Sequence, residues 1–404
     1  MIVNQMPAFN LSVIEAQVLD DTFAAPLRRE TASWPNDWRC QERLEAARRR
    51  LIYHGVAGLL LEQRALLSDW PEPILSAMRN ETVAHAMWEL RHKFLVSDLV
   101  ETLHDAGIAS VLLKGTALAY SVYDNPALRF RGDSDLLIRE KAVDVARNIL
   151  SDLGWNRPDG APGPFGPMHY QEIWQYRDPA GFAHNIDLHW EVTNSVALKS
   201  VLAVDEVIDM SVPLADLSEN AQRPDLITAL IHRSINRAIH ARSGYFSIDR
   251  YEYGAGRLSW AVDTDLIARK FSEEEWGNLC RKVCERGVGP VCADALSFTA
   301  NALNTPVPVK VMETLSKADS NTAPMRFLNA TREREMNVAN LKATSGFVAQ
   351  LLYILARLIP APSHLRKKYP HLRHWPLIFL YARRLGAAII CDRSKATEPK
   401  KRPT

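Results

Sequence analysis

Asp133 and Asp135 stand two residues apart at the head of an apolar run, Leu136-Leu137-Ile138. Alternate residues of a strand project from one face, so this spacing predicts two carboxylates side by side. Such a pair repels itself and relieves the repulsion by binding protons or divalent cations. About twenty residues earlier another apolar run ends in Lys114-Gly115-Thr116, where a glycine turn entering a helix would offer backbone N–H groups and a hydroxyl to phosphate. The G-x-x-x-x-G-K-[ST] pattern is missing, so this is no P-loop. The combination points to metal-assisted chemistry on a nucleoside triphosphate.

A D-x-D pattern alone is common on surface turns, and the chain contains its own control. Asp263-Thr264-Asp265 lies in a segment of helical period, where residues two apart face nearly opposite ways. That pair is expected to be exposed or capping. A third acidic residue distinguishes the first pair. In the run from Phe182 to Val192, Ile186, Leu188, Trp190 and Val192 share one face, and Asp187, His189 and Glu191 share the other. Tyr170 to Tyr176 reads as a second strand and Asp178-Pro179-Ala180-Gly181 as the turn of a hairpin. Asp187 would then join the pair from a neighbouring strand. A polar residue on a wet antiparallel face is the plainer reading of Asp187.

These segments, LLKGTALAYSVYDNPALRFRGDSDLLI and IDLHWEV, resemble the uncharacterised bacterial nucleotidyltransferase family of the DNA polymerase beta superfamily. The residues that carry the resemblance are Lys114-Gly115, the alanine-rich stretch to Tyr123, Arg129, Asp133 to Leu137, and Asp187-Leu188-His189-Trp190. Ser134 departs from a usual isoleucine and Asp187 from a usual glutamate. The resemblance implies a mixed α/β sheet core of the polymerase-beta type embedded between mainly helical regions. It also implies that Asp133, Asp135 and Asp187 hold two Mg2+ ions, with Mn2+ as a substitute, for nucleotidyl transfer to an acceptor with release of pyrophosphate. Lys114, Gly115, Thr116, Arg129 and Arg131 would then bind the nucleotide, while His189 and Glu191 would support the metal ligands. For Lys114 a snorkelling lysine, and for the arginines structural ion pairs with the aspartates, are the alternatives. The family's association with bacterial biosynthesis favours a small-molecule, sugar or peptide acceptor.

The elements that must position these residues divide the chain into a helical region over 1–100, a catalytic core over 101–195, a helical domain over 196–310 and a C-terminal helical region over 311–404. Helices are expected over 41–50, 51–67, 82–107, 224–242, 258–271, 273–286 and 291–303. Within the fourth of these, His232, His240, Arg233, Arg237 and Arg242 are expected to face solvent. The Pro- and Gly-rich stretch 156–167 reads as a loop, either connector or lid. With 47% hydrophobic residues the chain can bury a sizeable core. Its formal net charge of +2 hides an asymmetry: residues 364–404 carry eleven Lys/Arg against two Asp/Glu. That arm fits an anionic surface or the protein's own acidic body.

No apolar run reaches a membrane-spanning length, since Arg357 and Pro360 interrupt the nearest one. The N-terminus lacks the features of a signal peptide, and the five cysteines form no C-x-x-C. A cytoplasmic protein with reduced thiols is the expectation. Two other roles remain open at this stage: a non-catalytic nucleotide-binding regulator, and an adaptor that docks through the basic arm.

Overall fold

In the computed structural model, residues 11–158, 170–247, 250–252 and 254–358 are described, with short pieces between 362 and 384. Most of the 156–167 loop and of the basic arm lie outside these residues. The chain begins with helices α1 (Val13–Leu27), α2 (Gln41–His54) and α3 (Ala57–Glu62), and with two short strands, β1 (Ala32–Ser33) and β2 (Leu67–Ser68), paired in parallel. Ser12 and Glu15 cap α1 reciprocally: each side chain accepts from the other's backbone N–H. The apolar stretch 51–67 does not continue as one helix. Gly55, at φ +63°, ends α2 in the left-handed conformation that favours glycine, and the chain restarts as α3.

The 34-residue helix α4 (Glu72–Asp105) joins two cores. Its first turns place Ile74, Leu75 and Met78 against Leu19, Phe23 and Trp70 of the N-terminal helical region. Its later turns lay Val96, Leu99, Val100 and Leu103 on the central sheet. The sheet consists of β3 (Ser110–Leu113), β4 (Ser134–Ile138), β5 (Gln171–Arg177) and β6 (Ala183–His189), in the spatial order β3-β4-β6-β5. β4 runs antiparallel to β3 and parallel to β6, and β5 and β6 form the expected hairpin. Helix α5 (Lys114–Ala119) follows β3, and α6 (Val143–Asp152) follows β4.

Every residue of β4 is buried, because helices cover both faces of the sheet. Leu136, Ile138, Ile186 and Leu188 face α4 and α6. Leu113 and Leu137 face the second helical unit. That unit contains α7 (Val204–Asp209), α8 (Leu226–Ser243), α9 (Leu258–Ala268), α10 (Glu273–Glu285) and α11 (Gly289–Leu303), close to the expected helices. Two short strand pairs, 212–213 with 222–223 and 245–247 with 250–252, lie before and after α8 in a unit expected to consist of helices. Four smaller helices follow: α12 (Val309–Ser316), α13 (Ala323–Asn329), α14 (Glu333–Ala343) and α15 (Phe347–Leu358). Cys40, Cys280, Cys284 and Cys292 are free thiols.

The expectation of a solvated α8 face is overturned for His232, Arg233 and Arg237, which are buried, while His240 and Arg242 are half-buried. The polar groups of α8 meet partners inside the protein: Arg237 Nε donates to the Ala255 carbonyl at 2.9 Å, and Arg233 lies 3.7 Å from the Asp263 carboxylate.

His54 fastens the N-terminal region to α9. Its Nδ1 accepts from the Leu258 N–H at 3.0 Å, which puts the proton on Nε2 facing Asp20 Oδ1 at 2.7 Å. Burial lowers its pKa from 6.5 to about 4, although Asp20 opposes the shift. Between these values the unfolded chain takes up the proton and the folded one does not. Stability from His54 is therefore complete above pH 6.5 and is lost as pH falls towards 4. Melting temperatures measured from pH 7.5 to 4.5 should drop with acidification, and His54→Gln should flatten that slope. An identical slope in the variant would remove His54 from the account.

Candidate active site

Parallel pairing of β4 with β6 sets Asp135 directly opposite Asp187. Both carboxylates lie on the sheet face that α8 covers, and His189 follows on the same face one step further along β6. Lys114 Nζ donates to Asp135 Oδ1 at 2.5 Å, and His189 Nε2 meets the same oxygen at 3.0 Å. Asp133 lies outside the strand expected to contain it. β4 begins at Ser134, and Asp133 is the exposed residue before it. Gly132, just before it, has no positive φ, and a Cβ there would meet nothing.

The charges explain the local chemistry. Burial pushes the Asp187 carboxyl up to about 8, reinforced by the negative charge of Asp135 and then of Asp133. Asp133 is raised too, by its crowded surroundings and by Asp135. Asp135 moves the other way: against the cost of burial, Lys114 and His189 hold it well below the usual carboxylate range. Burial also works against the charge on Lys114, but the aspartates, Asp135 foremost, keep its ammonium above the ordinary lysine value. Lys114 has φ +47°, a left-handed conformation that costs a non-glycine residue roughly 1–2 kcal/mol. The left-handed residue of the K-G turn is thus the lysine, and Gly115 has no positive φ and room for a Cβ at ordinary contact distances. A Cβ on Gly115 would lie 3.4 Å from Arg131 Cδ and 3.9 Å from Arg129 Cζ, because the turn packs down onto both arginines.

One ligand atom each from Asp135, Asp187 and His189 lie within 4.8 Å of one another, so these residues could hold a metal ion. His189 has its pKa lowered, chiefly by burial, and is neutral. Its Nε2 therefore donates to the carboxylate it touches, which makes His189 an orienting group for Asp135. The donor set left to the cation is oxygen, with excess negative charge, and that suits a hard divalent ion.

The remaining residues singled out by the sequence are held underneath this cluster. Arg129 forms a two-pronged ion pair with Asp263 of α9, at 2.6 and 2.8 Å, and Tyr123 donates to the same carboxylate at 2.8 Å. Arg131 pairs with Glu89 of α4 at 2.7 Å and donates from Nε to the Thr116 hydroxyl at 3.1 Å. Thr116 also shares a 2.6 Å hydrogen bond with Ser134, whose hydroxyl meets His92 Nε2 at 2.7 Å. Glu191 accepts from Lys199 at 2.5 Å, away from the aspartates. Asp263, expected to be exposed or capping, is 0% exposed and is the hub of the Arg129 network. Its sequence signals are a carboxylate inside an otherwise apolar run, Trp260-Ala-Val-Asp263, and the likeness of that run to a helical W-x-x-D element of the resembling family. Glu89 and His92 carried no signal within the long α4.

Two acidic strands paired in parallel, a lysine turn against them, and helices on both faces define a mixed α/β nucleotidyltransferase. The family model described as uncharacterised nucleotidyltransferase matches residues 41–304, well over half of the chain, and the protein belongs to that family. Its activity is of the nucleotidyl-transfer class, for which the donor is a nucleoside triphosphate. No curated protein matches the chain.

Removing Asp263 would strand a buried guanidinium and a phenol. Asp263→Ala should lower stability in urea by about 3–5 kcal/mol, the usual cost of breaking a buried ion pair from one side. A loss below about 1 kcal/mol would mean that Arg129 does not depend on it.

Proposed function

We propose that the protein transfers a nucleoside monophosphate from a nucleoside triphosphate to a hydroxyl of a small molecule, sugar or peptide, with Mg2+ bound by Asp133, Asp135 and Asp187. The observation that carries this reading is the register of Asp135 against Asp187 on adjacent parallel strands. Asp133, exposed just before β4, is near enough for its charge to raise the Asp187 carboxyl. Divalent ions bound there would lower the pKa of the attacking hydroxyl and offset charge at the α-phosphate.

The chain's own groups divide the work. Asp135, ionised and oriented by His189, is the fixed anionic ligand. Without a cation Asp187 is raised to about 8 and holds its proton near neutral pH. Beside a bound divalent ion it would lose that proton, leaving a carboxylate able to ligate the ion or to accept the proton of the incoming hydroxyl. Lys114 brings a positive charge to the triphosphate from the edge of the carboxylates. Arg129, Arg131 and Thr116 are already engaged by Asp263, Glu89 and Ser134. In this reading they contribute by fixing the backbone at Gly115 and at residues 129–133, around the nucleotide. Glu191 acts at a further remove through Lys199.

Calorimetric titration of ATP, GTP, CTP and UTP, with and without Mg2+, tests the proposal. At least one triphosphate should bind in a Mg2+-dependent way, and Asp135→Asn should weaken it by about tenfold or more. Failure of every triphosphate to bind folded protein would defeat the reading. In the absence of nucleotide, Mg2+ or Mn2+ should raise the melting temperature of the wild type, and EDTA should reverse the effect. Asp187→Asn should abolish that shift. An equal shift in the variant would remove Asp187 from the metal site.

A further inference from the structure

Helix α15 carries an apolar surface that nothing covers among the described residues. Phe347 and Val348 are 80% and 68% exposed, and Leu351, Leu352, Ile354 and Leu355 are each at least 40% exposed. Tyr353 is the one residue of the helix known to be buried. A helix apolar on nearly every side is normally found inside a protein or in lipid. Beyond it, Trp375, Ile378 and Phe379 are exposed as well, with the Trp375 and Phe379 rings set edge to face at 6.1 Å. Isolated exposed hydrophobics need no explanation, but six on successive turns of one helix mark an interaction surface.

Length and charge decide what would cover it. Twelve residues make a helix about 18 Å long, too short to cross a hydrocarbon core of about 30 Å. No described helix is long and apolar enough to span a membrane. Five residues separate Leu358 from the segment 364–404, whose eleven Lys/Arg and two Asp/Glu give it a net charge of +9. The connection keeps the start of that charge within about 20 Å of the helix end. A second copy docked on the same face would bring two such segments together against their repulsion. An anionic surface is attracted by the same charge. Trp375 is of the aromatic type that settles at a bilayer interface, and Phe379 suits the apolar face of an interfacial segment.

We infer that α15 and the exposed aromatic residues after it dock the protein flat on an anionic phospholipid surface. The apolar side chains enter the boundary between headgroups and acyl chains, and the basic segment meets the acidic headgroups. The inference is independent of the nucleotidyl-transfer proposal.

Co-sedimentation of the full chain with vesicles tests it, using phosphatidylcholine alone and with about 30 mol % phosphatidylglycerol. Wild type should sediment with the anionic vesicles and at least about tenfold less with the neutral ones. Salt should weaken the binding. Leu351→Glu/Leu355→Glu replaces two side chains that already face solvent, so its circular dichroism and melting should match wild type while vesicle binding falls by about tenfold. Wild type remaining in solution with both vesicle types would overturn the inference, as would undiminished binding by the variant. A concentration-dependent dimer seen by light scattering and abolished in the variant, without vesicle binding, would assign the surface to a second copy.

Discussion

The parallel register of β4 and β6 is the constraint on which the rest of the site depends. It opposes Asp135 and Asp187 across a strand spacing of about 5 Å, which like charges would avoid without compensation. The compensation now present comes from within the chain: Lys114 in a left-handed turn, and a neutral His189 that donates to Asp135. The charge divides unequally as a result. Asp135 is held ionised while Asp187 is held close to its proton. Two chemically identical side chains thus acquire different capacities from their surroundings, one as a permanent anion and the other as a group able to exchange a proton.

Beneath the carboxylates, the sheet is anchored by buried polar contacts where apolar packing would have been the simpler solution. Arg129 reaches α9 through Asp263, Arg131 reaches α4 through Glu89, and Ser134 bonds to both His92 and Thr116. Buried ion pairs gain little net stability after desolvation, but their geometry is strict. Here they connect the K-G turn, the strand carrying Asp135 and the helices on the two faces of the sheet. The short helix α5 and the loop before β4 therefore have little freedom to move apart. Ser134 belongs to this network and projects away from Asp135 towards His92 of α4.

The long helix α4 extends that rigidity. It shares its first turns with the N-terminal core and its last with the sheet, while His54 links α2 to α9. The helical regions on either side of the sheet are thus coupled to the strands that carry the acidic residues. Family membership covers residues 41–304, which include α4, the sheet and helices α7 to α11.

The sequence by itself determined the local features: the hairpin, the strand bearing Asp135, the helices from 226 to 303, and the acidic residues as a candidate group. These are legible because side-chain period and turn chemistry act over a few residues. Tertiary structure alone decided which strands became neighbours, and so which carboxylates met. It also decided that His232, Arg233 and Arg237 of α8 are buried and that Asp263, over a hundred residues from Arg129, would be its partner. A charged residue looks the same in a sequence whether water or another side chain will solvate it. That choice depends on contacts between distant segments, and periodicity holds no record of them.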